Sequence, residues 1–223
     1  MALILNIETA TTNCSVALAK NGKTIALAED NDKNYSHSER LHVYIQNVID
    51  MSKINLEDLD AIAVSKGPGS YTGLRIGVSA TKGLCYSLDI PLISVLTLEA
   101  LVNQIYVERG FIVPMLDARR MEVYSAIYNF KHNLIRGTRA EVLTEDSFKE
   151  ELYNDTVTFI GSGVDKSKSI ITHKNAKFIE DRLPSAKEMS MLSYEKYKKS
   201  DTENVAYFEP YYLKDFVALK SKK

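Results

Sequence analysis

The first thirty residues form short apolar runs separated by polar turns. Such runs lie at 3–9, 15–19 and 24–28, and each has the length of a strand. Asn21 and Gly22 separate the second run from the third, and an Asn-Gly pair favours a tight hairpin turn. The chain is therefore predicted to open with a three-stranded meander.

Further along the chain, the spacing of apolar residues changes from that of strands to that of helices. Helices are predicted over 37–52, 72–88 and 98–108, with strands over 61–65 and 92–95. Ser36 and Glu39 form a capping box at the start of the first helix, and Gly110 ends the third. This order predicts a mixed sheet covered by helices.

After Gly110 the pattern begins again with three strands. The elements predicted there lie over 111–116, 123–130, 134–143, 145–152 (helix), 157–160, 163–170 (helix), 177–179 and 186–198 (helix). Because both halves open in the same way, we predict a duplicated α/β fold with an N-terminal lobe over 1–110 and a smaller C-terminal lobe over 111–223. The halves share no obvious sequence repeat, so this prediction rests on element order.

Composition narrows the function classes. Among 223 residues, 45% are hydrophobic and 26% charged, which is typical of a globular protein. The net charge of −1 offers no overall basic surface, so any contact with nucleic acid must be local or shared with a partner. With only Cys14 and Cys85, and without a basic leader or a long apolar segment, we expect a reduced cytoplasmic protein that does not enter a membrane.

Residues 67–77 read GPGSYTGLRIG and join a predicted strand to a predicted helix. A glycine loop before a helix leaves amide groups free, so one interpretation is a phosphate site. The glycine spacing departs from the dinucleotide fingerprint, however, and Pro68 has no amide proton to donate. The other interpretation is a tight turn between strand and helix.

The helix after this turn carries two internal glycines, Gly77 and Gly83. Each costs about 1 kcal/mol relative to alanine, so close approach of another element is expected to offset the loss. The helix over 37–52 has an unusually wide apolar stripe. Two alternatives follow: the two helices pack within the chain, or they share an exposed surface with another subunit.

Charged residues gather where the predicted strand 111–116 ends. Arg119 is placed to hold a phosphate or carboxylate through its planar guanidinium. The alternative is an internal ion pair, either Asp117 with Arg119 or Glu122 with Arg120. His37 and His42 lie about 140° apart around a helix and cannot easily share a metal, so no metal site is predicted.

Several motifs together resemble the bacterial TsaB (YeaZ) family. They are ILNIETA at 4–10, HSE at 37–39, the segment 67–77, VLTLEAL at 95–101, DAR at 117–119, EVY at 122–124 and PYYL at 210–213. The resemblance implies an actin-like, ribonuclease H-like fold of two lobes, the second reduced. It also implies a role in making threonylcarbamoyladenosine next to the anticodon of tRNAs that read codons beginning with A.

The resemblance also implies that this chain is not itself the enzyme. The related catalytic subunit, TsaD, holds its metal with two histidines four residues apart, and Thr97 and Leu101 stand at those places here. A hydroxyl and an alkyl group cannot replace two imidazoles. The implied role is a non-catalytic subunit that dimerises with TsaD and activates it, binds no cofactor alone, and leaves ATP and metal to partner subunits.

The implied partners are a TsaD-like catalytic subunit, a TsaE-like ATPase, a second copy of the chain in isolation, and tRNA through the complex. The partner interface is expected at His37, Leu41, Tyr44, Ile45, Val48, Gly73, Leu74, Ile76, Gly77 and Ala80. On this basis Gly77→Leu should break the interface without unfolding the chain. Arg119 is expected to contact a ligand or tRNA at the junction of two subunits.

A different class of function stays open. The chain would then be an actin-like enzyme in its own right, either metallopeptidase-like or an ATP-dependent phosphotransferase with Glu8 orienting a hydrated magnesium ion. The C-terminal lysines Lys214, Lys220, Lys222 and Lys223 form a basic tail, which either contacts tRNA weakly or is merely solvated.

Overall fold

The computed structural model of the protein describes residues 1–31 and 37–214 and contains two five-stranded sheets. Ser36 of the predicted capping box and the last three lysines of the basic tail lie outside the described residues. The first half comprises β1 (Leu3–Glu8), β2 (Asn13–Lys20), β3 (Lys23–Asn31), α1 (His37–Ser52), β4 (Ala61–Gly67), α2 (Tyr71–Leu88), β5 (Leu92–Leu96) and α3 (Thr97–Val102). The second comprises β6 (Phe111–Asp117), β7 (Glu122–Asn129), β8 (Leu134–Val142), α4 (Lys149–Asn154), β9 (Val157–Ile160), α5 (Val164–Ser167), β10 (Ala176–Ile179) and α6 (Ala186–Lys198).

The two sheets have the same topology. The first has the order β3-β2-β1-β4-β5, and the second has β8-β7-β6-β9-β10. In each, the three opening strands are antiparallel, and the last two run parallel to the first strand of the half. This repetition confirms the predicted duplicated α/β fold of the actin-like class.

Helices cover both faces of the first sheet. On one face α1 and α2 pack against alternate residues of the central strands, among them Leu5, Ile7 and Val64. On the other face, α6 places Ala186 and Met189 against the small side chains of the same strands. The core of the first sheet therefore includes a helix from the far end of the chain.

The second sheet has a thinner cover, as the reduced second lobe predicts. One face packs on α3, and the other packs on α4 and α5, which are only six and four residues long. The helices α3 and α6 thus each contact the sheet formed by the other half. The division into lobes at 1–110 and 111–223 stays a prediction, and α6 lies on the first sheet although it follows Gly110.

Most predicted elements are confirmed within one or two residues, including the whole of α1 and α6. Two helices differ. The helix predicted over 98–108 ends at Val102, where the side-chain amide of Asn103 donates a hydrogen bond to the Glu99 carbonyl at 2.8 Å. The helix predicted over 145–152 begins at Lys149, because Phe148 adopts a left-handed conformation with φ of 59°.

Across residues 1–31 and 37–214, no helix combines the length and the apolar character needed to cross a bilayer.

Candidate functional site

The glycine segment packs on the turn that follows β1. A Cβ atom on Gly69 would lie 2.4 Å from the Ala10 carbonyl oxygen, and one on Gly73 would lie 2.1 Å from that of Thr9. The Ser70 amide donates to the Ala10 carbonyl at 2.7 Å. Backbone of the same chain fills this space and confirms the tight-turn interpretation, whereas the phosphate-site interpretation stays a prediction.

Gly77 also faces the interior. A Cβ atom there would lie 2.3 Å from Oγ1 of Thr9, and that hydroxyl donates to the Gly73 carbonyl at 2.8 Å. The expectation that Gly77→Leu leaves the fold intact therefore needs correction, since a leucine would displace the turn after β1. Close approach does offset the helix cost, as predicted, but the neighbour is Thr9 within the chain.

The expected set of partner contacts needs a related correction. Within the chain, the structure buries His37, Leu41, Ile45, Val48, Gly73, Leu74 and Gly77. Only Tyr44, Ile76 and Ala80 of that set are half-exposed. The seven buried residues hold α1 and α2 on the sheet. They therefore contribute little to the outer surface of these helices, which a partner would contact.

That outer surface is a shallow groove of about 480 Å³ between α1 and α2. It is lined by Ser38, Leu41, His42, Ile76, Ser79, Ala80, Gly83, Leu84 and Ser87. Gly83 is exposed, and a Cβ atom added to it would meet no other atom within 4 Å. The cost of Gly83 in the helix is therefore not offset inside the chain. Its unexplained position in α2 was a signal in the sequence that pointed to this groove.

Arg119 and Arg120 occupy the turn between β6 and β7 in left-handed conformations, with φ of 69° and 47°. The alternative of internal ion pairs at this turn is wrong. Asp117 pairs with Lys166 at 2.6 Å, and Glu122 pairs with Lys214. Neither arginine has a carboxylate partner within the described parts of the chain.

Thr97 and Leu101, which stand where the related catalytic subunit has its histidines, are fully buried. The hydroxyls of Thr97 and Ser65 are 2.6 Å apart and share a hydrogen bond. Within 1–31 and 37–214, no three His, Cys, Asp or Glu side chains are grouped so that they could hold a metal ion.

Glu8 lies at the end of β1 and is fully buried. Its Oε1 atom accepts a hydrogen bond from the Ala10 amide at 2.6 Å, and burial nevertheless raises the pKa of this carboxyl to about 7. A hydrated magnesium ion needs a carboxylate that solvent can reach. Glu8 does not fit that role, which the phosphotransferase alternative assigned to it.

A cleft of about 750 Å³ separates the two sheets. Its charged lining comprises the carboxylates of Glu29, Asp30, Asp165, Asp181 and Glu188, with the cations of Arg182 and Lys187. Gly161 and Ser162 also reach it, but the Ser162 hydroxyl accepts a hydrogen bond from the Asp117 amide at 3.1 Å. An excess of carboxylates disfavours a polyphosphate in this cleft.

Comparison with known proteins identifies the family. The family model described as "TsaD: tRNA N6-adenosine threonylcarbamoyltransferase" matches residues 31–222. The tRNA threonylcarbamoyladenosine biosynthesis protein TsaB of Escherichia coli K12 is 31% identical, with 97% of this chain and 96% of that protein covered. The chain belongs to the TsaB (YeaZ) family. The protein of the same name from Bacillus subtilis is 39% identical over a shorter stretch, which is 59% of this chain and 57% of that one.

A solved structure of a TsaB (YeaZ) family member agrees with this fold. YeaZ from Pseudomonas aeruginosa superposes with a TM-score of 0.81 at 25% identity, covering 96% of this chain and 100% of that one. The resemblance drawn from the motifs is thereby confirmed. The groove between α1 and α2 and the turn at Arg119 are accordingly the candidate functional surfaces of a TsaB family member.

Proposed function

We propose that this chain is a non-catalytic subunit in tRNA threonylcarbamoyladenosine biosynthesis, and that it binds and activates a TsaD-like catalytic subunit through the groove between α1 and α2. Family membership supports the pathway, since the E. coli and B. subtilis relatives are named for it. The observation that carries the binding surface is Gly83, a helical glycine that nothing inside the chain requires.

The groove has the properties of a surface that receives a helix. Its lining combines the apolar side chains of Ile76 and Leu84 with small residues at Ser79, Ala80 and Gly83. Small residues let a second backbone approach closely, while the apolar side chains contribute buried area. A second copy of the chain would use the same groove in isolation, so a homodimer and the heterodimer would exclude each other.

The proposed division of labour leaves the chemistry to other subunits. In this chain Thr97 and Leu101 are buried at the positions of the metal ligands, and Glu8 is sealed from solvent. ATP and the metal would be held by the TsaD-like subunit and a TsaE-like ATPase, and tRNA would be bound through the assembled complex. We place this assembly in the cytoplasm.

The test is a pair of matched glycine substitutions. Gly83→Arg fills the groove, whereas Gly137→Arg makes the same change on β8, where a Cβ atom would also meet nothing within 4 Å. Both variants should fold, because neither side chain collides with the chain. We expect Gly83→Arg to weaken binding of the TsaD-like subunit at least tenfold by titration calorimetry and to lower threonylcarbamoyl transfer to tRNA, with Gly137→Arg equal to wild type.

Two results would contradict this proposal. One is equal partner affinity for wild type and Gly83→Arg, which would remove the groove from the interface. The other is full transfer activity of the TsaD-like subunit and ATPase without this chain, which would remove its role as activator.

A further inference from the structure

A row of cations and aromatic rings runs from α2 across the C-terminal segment to the turn at Arg119. We refer to it as the basic-aromatic ridge. Its members are Tyr71, Arg75, Arg119, Arg120, Tyr124, Lys166, Tyr212 and Lys214. They come from four separate parts of the chain, so the sequence does not show them as one patch.

Contacts between neighbours make the ridge continuous. On α2, the Arg75 guanidinium lies 5.4 Å from the Tyr71 ring centre and donates to the Tyr71 hydroxyl at 3.1 Å. The rings of Tyr71 and Tyr212 are 5.0 Å apart between centres. Two residues later, the Lys214 amine lies 5.7 Å from the ring centre of Tyr124 on β7.

At the end of the ridge near Arg119, Lys166 and Lys214 bind the turn between β6 and β7. Lys214 pairs with Glu122, and the Lys166 amine donates to the Glu122 carbonyl at 2.7 Å and to the Arg120 carbonyl at 2.8 Å. These bonds hold the turn between β6 and β7 in place. The side chains of Arg119 and Arg120 remain exposed on a fixed backbone.

The ridge carries more positive charge than the chain as a whole. It has five cations, and the carboxylates beside it are Asp117, Glu122 and Glu209. The whole chain has a net charge of −1. Three of the five cations, Arg75, Arg119 and Arg120, have no ion-pair partner within the described residues. Tyr212 remains 38% exposed, so part of its ring is open to a second aromatic surface.

We propose that the basic-aromatic ridge binds single-stranded RNA, a proposal that rests on the proposed function and gives this subunit its own contact with the substrate. Uncompensated arginines bind phosphates, and exposed tyrosine rings stack on unpaired bases. A duplex hides its base faces and would use the cations alone. An acidic peptide would likewise use only the cations, so the rings favour RNA.

The probe is a fluorescein-labelled single-stranded RNA of about 12 nucleotides, which fits the site sizes of such surfaces. A duplex of the same length serves as comparison. Fluorescence anisotropy gives the dissociation constant at several salt concentrations. It is measured for the full chain alone and for the chain saturated with its TsaD-like partner.

Two variants separate the contributions. Arg119→Ala with Arg120→Ala should weaken binding and lower the slope of log affinity against log salt by about 1.4, because each phosphate contact contributes about 0.7 for single strands. Tyr212→Ala should weaken binding about fivefold or more with little change in slope, since stacking is not ionic. Tyr212→Ala should discriminate less between single strand and duplex than wild type does, whereas the double arginine variant should bind both more weakly.

The matched control is Lys174→Ala with Lys177→Ala, which also removes two exposed cations. Lys177 lies opposite Thr158, which in turn lies opposite Ile112 near the start of β6. The ridge begins at the other end of that strand, roughly 17 Å away. This control should bind the RNA as wild type does.

The outcomes are distinct from those for the groove. Gly83→Arg should lose the partner and keep RNA binding by the isolated chain. Four results would each overturn the ridge proposal. Two concern the variants: equal RNA affinity of wild type and ridge variants, and a lysine control that weakens binding as much as the ridge variants do. The other two are tighter binding of duplex or polyglutamate than of single strand, and no measurable RNA binding by the chain alone or with its partner. None of these results bears on whether the groove binds the partner.

Discussion

Oγ1 of Thr9 occupies the place next to Gly77 where any side chain would begin, 2.3 Å from the position of its Cβ atom. The same hydroxyl donates to the carbonyl of Gly73, one helical turn earlier. The turn after β1 is therefore seated directly on the backbone of α2. This contact requires glycine at two positions spaced four residues apart.

Gly77→Ala is expected to destabilise the protein by about 1–3 kcal/mol, because the added methyl group must push Thr9 aside. Gly83→Ala in the same helix is the matched control. It meets no atom within 4 Å and should stabilise the protein by about 1 kcal/mol through helix propensity alone. Urea denaturation followed by circular dichroism measures both changes.

Adding Thr9→Ala to Gly77→Ala removes the colliding hydroxyl. The double variant should lose less stability than the sum of the two single variants. Strict additivity, or a Gly77→Ala variant as stable as wild type, would contradict the contact between Thr9 and Gly77.

The buried carboxyl of Glu8 should make stability depend on pH. Its pKa is raised from 4.5 to about 7, mainly by burial, so the folded protein retains a proton that the unfolded chain releases. The contribution is complete below pH 4.5, declines as the pH rises to about 7 and is constant above that. The total loss is about 3 kcal/mol, from 1.36 kcal/mol for each pKa unit.

Glu8→Gln provides the measurement, because glutamine keeps the oxygen that accepts from Ala10 and cannot ionise. Subtracting the wild-type unfolding free energy from that of the variant cancels the other titrating groups. This difference should increase between pH 4.5 and 7 and then level off. A difference that is flat across this range would show that Glu8 titrates normally in the folded protein.

Lys82 fixes the C-terminal segment to α2. Its amine donates to the carbonyls of Ala206 at 3.1 Å and Phe208 at 2.9 Å, and the Phe208 side chain reaches the core of the first sheet. Lys82→Met keeps the length of the side chain and removes the donor, which should cost about 1–3 kcal/mol of local stability. Chymotrypsin should then cleave faster after Tyr207, which is 84% exposed.

Mass spectrometry of timed digests locates that cleavage. Lys177→Met is the control, since it makes the same substitution on β10. An unchanged cleavage rate after Tyr207 in Lys82→Met would mean that the segment is held without this lysine.

Periodicity predicted the elements well where one face of a helix is buried along its whole length. In α1 buried residues run from His37 to Ile49, and in α6 the partly buried rings of Tyr194 and Tyr197 continue the buried face, so both helices have the predicted bounds. In α3 the apolar spacing continues past Val102, but the helix ends there, where the Asn103 side chain donates a hydrogen bond to the Glu99 carbonyl. The spacing of apolar residues alone does not show that a polar side chain will end a helix at such a point.

The candidate surfaces were predicted less completely than the fold. The two helices of the groove were identified correctly, but spacing alone could not tell which glycine faces inward and which faces outward. The ridge depends on pairs far apart in sequence, such as Lys166 with Asp117, 49 residues apart, and Lys214 with Glu122, 92 residues apart. Only the folded chain brings such pairs together.

The position of α6 on the first sheet also affects how the protein is made. Residues 186–198 are translated after about four fifths of the chain. They nevertheless cover one face of the first sheet, whose first strand is β1. Before they are synthesised, Ala100 of α3 is the only helical residue in the apolar cluster on that face among the described residues. The first sheet therefore cannot bury both of its faces fully until residues 186–198 have been synthesised.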